Sequence, residues 1–238
     1  MLSQIKVGDV AVDVVLKDIK HIHLSVYPPA GRVRISAPKR MSISTIRVFA
    51  ISKLDWIRQQ QTKLREQERE TPRDYVDRES HYVWGKRYLL TLSASDEPPS
   101  IEVKHSQLLL RVRPRTDEDK RRALVEEWYR DLLKEAVPQL LARWQPLLKV
   151  EVERFFVQRM KTKWGSCNHK ARTIRLNTEL ARKPAECLEY IVLHELVHLL
   201  EPTHNARFIA LMDRFMPKWQ FHRQVLNRLP VRREKWSY

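Results

Sequence analysis

The chain has 238 residues, 42% hydrophobic and 31% charged, with a formal net charge of +16. That length can bury a sizeable core as one large domain or two lobes, and no apolar run approaches the roughly 18 residues needed to span a membrane. The two cysteines, Cys167 and Cys187, form no Cys-x-x-Cys pair, which argues against a disulfide framework and makes a reducing cytoplasm the expected location.

The first residues, MLSQIKVGDV, lack the basic start, apolar core and small-residue cleavage site of a secretory signal. DVAVDVVL, HIHLSVY and RVRIS then read as short strands, with Pro28, Pro29 and Gly31 supplying a turn. From Ser42 to about Glu70 the spacing of Ile46, Phe49, Ala50, Leu54 and Ile57 predicts a helix. Two β-like pairs come next: HYVWGKRYLLTL around Gly85, and IEVKHSQLLLRV. A long helical pattern runs from near Asp117 towards Leu148, with Pro138 and Pro146 expected to kink or end it. VEVERFFVQ and TIRLN are further strand candidates, and in the second Ile174 and Leu176 share one face while Thr173, Arg175 and Asn177 share the other. Pro184 suits the first turn of a new helix carrying Leu188, Ile191, Val192, Leu196 and Val197. The expected class is α+β, with no internal repeat. Residues 1–115 form a strand-rich lobe with one helix, and residues 116–238 a lobe built around the last, buried helix.

Charge is even between these lobes, +8 in each, but uneven within the second. Residues 154–183 hold nine Lys/Arg and one acid, Glu179. Such a stretch is either a solvated face or a field that attracts an anionic partner.

That basic stretch leads into HELVHLLEPTH, residues 194–204. Residues four apart on a helix are about 40° apart in azimuth and about 6 Å apart along the axis, so His194 and His198 project from one face on successive turns. Glu195, about 100° away, is placed to act on a water held between them without being a ligand itself. His204 would lie about 15 Å from His194 on a continuous helix. Pro202 disfavours helix at Glu201, however, and a break there returns His204 towards the pair, with Thr203 capping the next helix, HNARFIALMDRF. Three histidines leave a fourth position open, as a catalytic rather than a structural zinc requires.

Around this motif, Arg159, Lys161, Lys163, Arg172 and Arg175 are candidate substrate cations, and His169 could stabilise charge on the substrate. Trp164 is either core or pocket wall. Gly165 serves a tight turn or a close backbone approach. Cys167 is not counted as a ligand beside three histidines. His21, His23, His81, His105 and His222 have no ligand spacing and are read as ordinary surface or core residues.

The segment RMKTKWGSC…TIRLNTELARKP…LEYIVLHELVHLLEPTHNARF, Arg159 to Phe208, resembles the YgjP-like metallopeptidase family, related to SprT-like zinc proteins. RVRISAP, KLDWI and the aromatic-Gly turn at Trp84 and Gly85 extend the likeness over most of the chain. The resemblance implies a minimal zincin, a small sheet packed on the active-site helix. It also implies His194, His198 and His204 as metal ligands and Glu195 as the catalytic glutamate. The spacing equals that of the metzincins, but Glu201 replaces their glycine and no later methionine turn is evident.

The leading expectation is therefore a zinc metallopeptidase acting on a peptide substrate. A second reading keeps the site but cleaves a nucleotide: some YgjP-like proteins are assigned as pyrophosphatases acting on UTP. A third is a nucleic-acid-binding module with a structural zinc, although no helix-turn-helix, Cys/His finger or Arg/Gly tract is present. Only weak electrostatic nucleic-acid contact, and no membrane contact, is expected.

Overall fold

Alternating burial along short valine-rich runs lays down the first sheet. β1 (Leu2–Val7), β2 (Val10–Lys17), β3 (His23–Tyr27) and β4 (Arg32–Pro38) run in the order β1-β2-β4-β3. The β2/β4 pair is parallel and the outer pairs antiparallel. Asp13, buried on β2, is neutralised by Arg32 at 2.5 Å. The computed structural model describes residues 2–27, 31–66, 69–70, 73–160, 163–229 and 231–232. The expected turn residues Pro28 and Pro29 lie outside these.

Where the apolar spacing predicts one helix from Ser42 to Glu70 there are two, α1 (Ile43–Ser52) and α2 (Leu54–Glu66). The Ser42 hydroxyl caps the first by accepting from the Thr45 N–H at 3.1 Å. It ends where the Lys53 N–H turns back to the Ala50 carbonyl at 3.2 Å. Ile46, Ala50 and Ile57 pack on Val12, Val14 and Ile35 from both helices, so the apolar spacing runs through the break and hides it. A short strand, β5 (Arg69–Glu70), comes after α2.

The second sheet contains β6 (Ser80–Val83), β7 (Lys86–Ala94), β8 (Ser100–Lys104) and β9 (Gln107–Val112) in the order β6-β7-β9-β8. Its central pair is parallel and its outer pairs are antiparallel, so it repeats the connectivity of the first. The sequence shows no such repeat, because strand topology constrains burial pattern and not residue identity. Leu90, Leu108 and Leu110 share one core with Val125, Tyr129 and Leu133 of α3 (Glu118–Leu148). The described chain accordingly separates into two compact units at residues 71/72 and not at 115/116, with the C-terminal strand belonging to the first unit. Strand-rich composition continues past the junction and masks it in the sequence.

Asp117 caps α3, and the helix continues through both Pro138 and Pro146 to Leu148. Seven buried side chains at three- and four-residue steps, from Val125 to Leu148, line its inner face. Each contributes about 1.5–3 kcal/mol on burial, against about 3 kcal/mol lost at an interior proline. Packing wins.

After α3 come β10 (Arg154–Gln158), β11 (Gly165–Asn168) and β12 (Thr173–Asn177) in the order β10-β12-β11, then a 3-10 turn at Thr178–Arg182. β12 is parallel to β10 and antiparallel to β11. α4 (Ala185–Val197), α5 (Ala206–Phe215), α6 (Trp219–Arg228) and β13 (Val231–Arg232), which pairs with β5, complete the chain. Ile174 and Leu176 pack with Leu188, Val192 and Leu196, so the three-stranded sheet lies on α4 as expected. The class is α+β. Among the described residues no helix is long and apolar enough to cross a membrane.

Two of the nine basic residues are explained by this packing. Arg182 and Lys183 are 2% and 3% exposed, and Arg182 lies 3.4 Å from Glu126 with its guanidinium over the Tyr129 ring. This ties the 3-10 turn to α3.

Candidate metal centre

α4 is apolar on nearly every side and opens at its C-terminal end. Leu193, Leu196 and Val197 are fully buried, Glu195 is 4% exposed, and His194 and His198 reach the surface. Pro184 stands one residue before the helix, where its fixed φ and missing N–H cost nothing. The Trp84-Gly85 turn packs against it: the Trp84 N–H donates to the Ala181 carbonyl at 2.9 Å, and a Cβ on Gly85 would lie 2.9 Å from Pro184 Cγ. The second sheet thus fixes the start of the histidine helix.

The helix stops at Val197, and the chain turns through Pro202 so that His204 faces back. Asn205, not the expected Thr203, caps α5 by accepting from the Phe208 N–H at 3.0 Å. His204 Nε2 lies 3.0 Å from His194 Nε2, and the ligand atoms of His194, His198 and His204 all fall within 4.8 Å of one another. Three nitrogens on a tetrahedral zinc stand roughly 3.3 Å apart, given bonds of about 2.0–2.1 Å. The donor set fits such an ion. With its Nδ1 3.0 Å from the Glu201 carbonyl, His198 donates there and keeps the Nε2 lone pair for the cation.

Phe208, 2% exposed, is the floor of the site, with ring centroids 4.9, 4.8 and 4.7 Å from those of His194, His198 and His204. It sits four residues after His204, in the first turn of α5.

The WGSC and RLN elements also acquire roles. A Cβ at Gly165 would lie 2.5 Å from Glu195 Oε1, so the first residue of β11 is glycine because the strand crosses the carboxylate. The Asn177 amide donates to the Met160 and Lys163 carbonyls at 2.9 and 2.8 Å, while its N–H donates to the Trp164 carbonyl at 2.9 Å. It pins the segment leading into β11. Trp164 is half-buried and packs on the core.

The candidate substrate residues are not gathered in one place. Lys163 is exposed, and its charge is felt at Glu195 and His198. Arg175 lies on the sheet face opposite Ile174 and Leu176, its guanidinium 5.5 Å from the Phe156 ring centroid. Arg172 pairs with Glu151 and Glu153 at 3.6 and 3.9 Å. His169 occupies the exposed turn between β11 and β12, Arg159 is exposed beyond β10, and Lys161 lies outside the described residues.

Burial sets the protonation of the centre. It depresses the pKa of His194 from 6.5 to about 3, assisted by the charges of His198, His204 and Arg223. His198 and His204 are lowered too, burial again first. Glu195 is pushed up from 4.5 to about 8 by burial, opposed by Lys163. In metal-free protein these shifts oppose each other. Below pH 6.5 the unfolded chain takes up protons that the buried histidines refuse, so stability falls as pH falls towards 3. Glu195 favours the fold while protonated, and that contribution, complete below 4.5, is lost as pH rises through 8. Chelator-treated protein should therefore be most stable near pH 6.5 and lose up to ~1.4 kcal/mol per pH unit from there to about pH 8. Urea denaturation at three pH values checks this, and Glu195→Gln should flatten the alkaline limb. Wild-type stability that still rises between pH 6.5 and 8 contradicts the assignment.

A sequence model of the family described as YgjP-like, metallopeptidase domain, matches residues 20–229. Among solved structures, the metallopeptidase zymogen of Pyrococcus abyssi abylysin is 22% identical, with a TM-score of 0.36 over 38% of this chain and 90% of that one. The zymogen of Methanocaldococcus jannaschii jannalysin is 25% identical, with a TM-score of 0.33 over 40% of this chain and 92% of that one. No curated protein matches the chain.

Proposed function

This chain belongs to the YgjP-like family of metallopeptidase domains, and from that premise we propose that it is a zinc-dependent peptidase. His194, His198 and His204 hold the ion and Glu195 is the general base. A zinc ion bound there would supply Lewis-acid polarisation of the scissile carbonyl and a more acidic water.

The observation that carries the peptide substrate is the edge of β11. Among the described residues this strand pairs on one side with β12 and has no strand on its other side, and its Gly165 lies against Glu195. An extended peptide docking on that edge hydrogen-bonds to the backbone and passes its carbonyl over the carboxylate. Glu195, raised to about 8, holds a proton readily at neutral pH. It takes one from the attacking water and returns it to the leaving amine. Lys163 favours the ionised carboxylate that begins the cycle.

The nucleotide reading needs several cations in the cleft; of the candidate cations Lys163 lies beside the centre, whereas Arg172 and Arg175 are engaged with Glu151, Glu153 and Phe156. The free thiols of Cys167 and Cys187 support a cytoplasmic location as part of the same reading.

The test incubates zinc-loaded and magnesium-loaded protein with unfolded protein and with nucleoside triphosphates, following new amino termini and pyrophosphate. New termini in the zinc sample are expected. Pyrophosphate release without any peptide cleavage reverses the choice of substrate.

A further inference from the structure

The centre has a second cation besides Lys163, from a different part of the chain. Arg223 stands one turn after Trp219 and three residues before Leu226 on α6, beside the stripe that these two residues bury. Trp219 stacks on Tyr190 of α4 at 6.4 Å with the planes 17° apart, and Tyr190 meets the His194 ring edge-on at 5.8 Å. This chain of rings holds α6 beside the histidines with Arg223 exposed at the rim.

Lys163 stands two residues before Gly165, which lies against Glu195, and its carbonyl is held by the Asn177 amide at 2.8 Å. The two cations therefore reach the centre from different elements, one from the segment entering β11 and one from α6. Among the described residues neither forms an ion pair. Asp213 accepts from the Trp219 indole at 2.7 Å and Glu201 from the Thr203 hydroxyl at 3.3 Å, so these acids are engaged by neutral donors. Two unpaired cations beside a site for a divalent cation outnumber the one carboxylate placed there, Glu195, and leave the rim of the site positive.

We infer that Lys163 and Arg223 form the two flanks of an anion-selective cleft, which favours peptides carrying a carboxylate side chain beside the scissile bond. The inference rests on the peptidase reading and adds the substrate class. Carboxylates on the peptide complete the ion pairs that the protein leaves open, while a lysine at the same positions meets like charge.

Three peptides of one sequence, with Asp, Asn or Lys at the two positions flanking the scissile bond, provide the test. With zinc-loaded protein the expected order of kcat/KM is Asp, Asn, Lys, about ten-fold per step at low salt and compressed at high salt. Lys163→Glu combined with Arg223→Glu should invert it at unchanged zinc content. The milder Lys163→Met with Arg223→Gln should level it, which keeps the test open if the reversal misfolds. An order untouched by both pairs of substitutions overturns the inference.

Binding of dye-labelled versions to zinc-loaded Glu195→Gln protein, read by anisotropy, should show the same order without hydrolysis. If wild-type protein cleaves nothing while this binding order holds, the peptidase reading fails and the anion-selective flanks stand. Equal binding of the three peptides removes the flanks whatever is cleaved. A nucleoside triphosphate that binds more tightly than the Asp peptide, and loses that advantage in both charge variants, overturns the peptide assignment.

Discussion

His204→Ala protein is expected to fold and yet to hold little zinc, where the wild type is expected to hold one ion per chain. His204 gives the cleanest of the three ligand tests. Its ring is exposed, whereas His194 is half-buried and packs on both Tyr190 and Phe208. Removing His194 would mix a lost ligand with lost packing. Removing His204 takes away one nitrogen, 3.0 Å from His194 Nε2, and uncovers part of Phe208. Loss of an outer hydrogen-bond partner to a zinc ligand costs about 10–100-fold in affinity, and loss of the ligand itself should exceed that. Elemental analysis after dialysis against a weak chelator reads it directly, with circular dichroism as the control for folding. Full occupancy in the variant would place His204 outside the ligand set.

The histidine geometry was legible because helical spacing is a strong local constraint: two residues four apart must share a face, and a proline interrupts the turn after them. Strand–helix alternation was equally local, and the α+β class came from it. The features that escaped detection depend on tertiary packing. β11 carries only Gly-Ser-Cys-Asn, which has no strand signature, and it is held in place by pairing with β12 and by its approach to Glu195. Arg223 lies nineteen residues after His204 in sequence and comes beside the histidines only through the Tyr190–Trp219 stack. The basic stretch is one run in the sequence and several places in the fold: alternation on β12 sends Arg175 to the face away from α4, and Arg182 is a core ion pair. Proximity in sequence to a metal helix is a poor guide to proximity in space once a strand intervenes.

Glu195→Gln should keep the fold and the zinc while losing most of the hydrolysis. The side chain is 4% exposed, and its acid is held protonated up to about pH 8 when no ion is present, so the pocket already tolerates a neutral group of that shape. Glutamine satisfies the same space, and none of the three ligand nitrogens is altered. It cannot accept the proton of the attacking water or deliver one to the leaving amine, and general-base contributions of this kind are about 10²–10⁴-fold. Gly165→Ala should move activity in the same direction for a different reason. Its new methyl would lie 2.5 Å from Glu195 Oε1 and 2.9 Å from Cγ, which forces the carboxylate off its position while leaving its chemistry intact. The two variants separate the roles: in the glutamine variant kcat falls at all pH values, whereas the alanine variant retains the pH profile of a carboxylate at reduced amplitude. Steady-state kinetics on whichever peptide the wild type cleaves, with zinc content measured on the same samples, distinguishes them. A Gln variant that turns over at the wild-type rate would falsify the assignment of Glu195 as base, even with the zinc site intact.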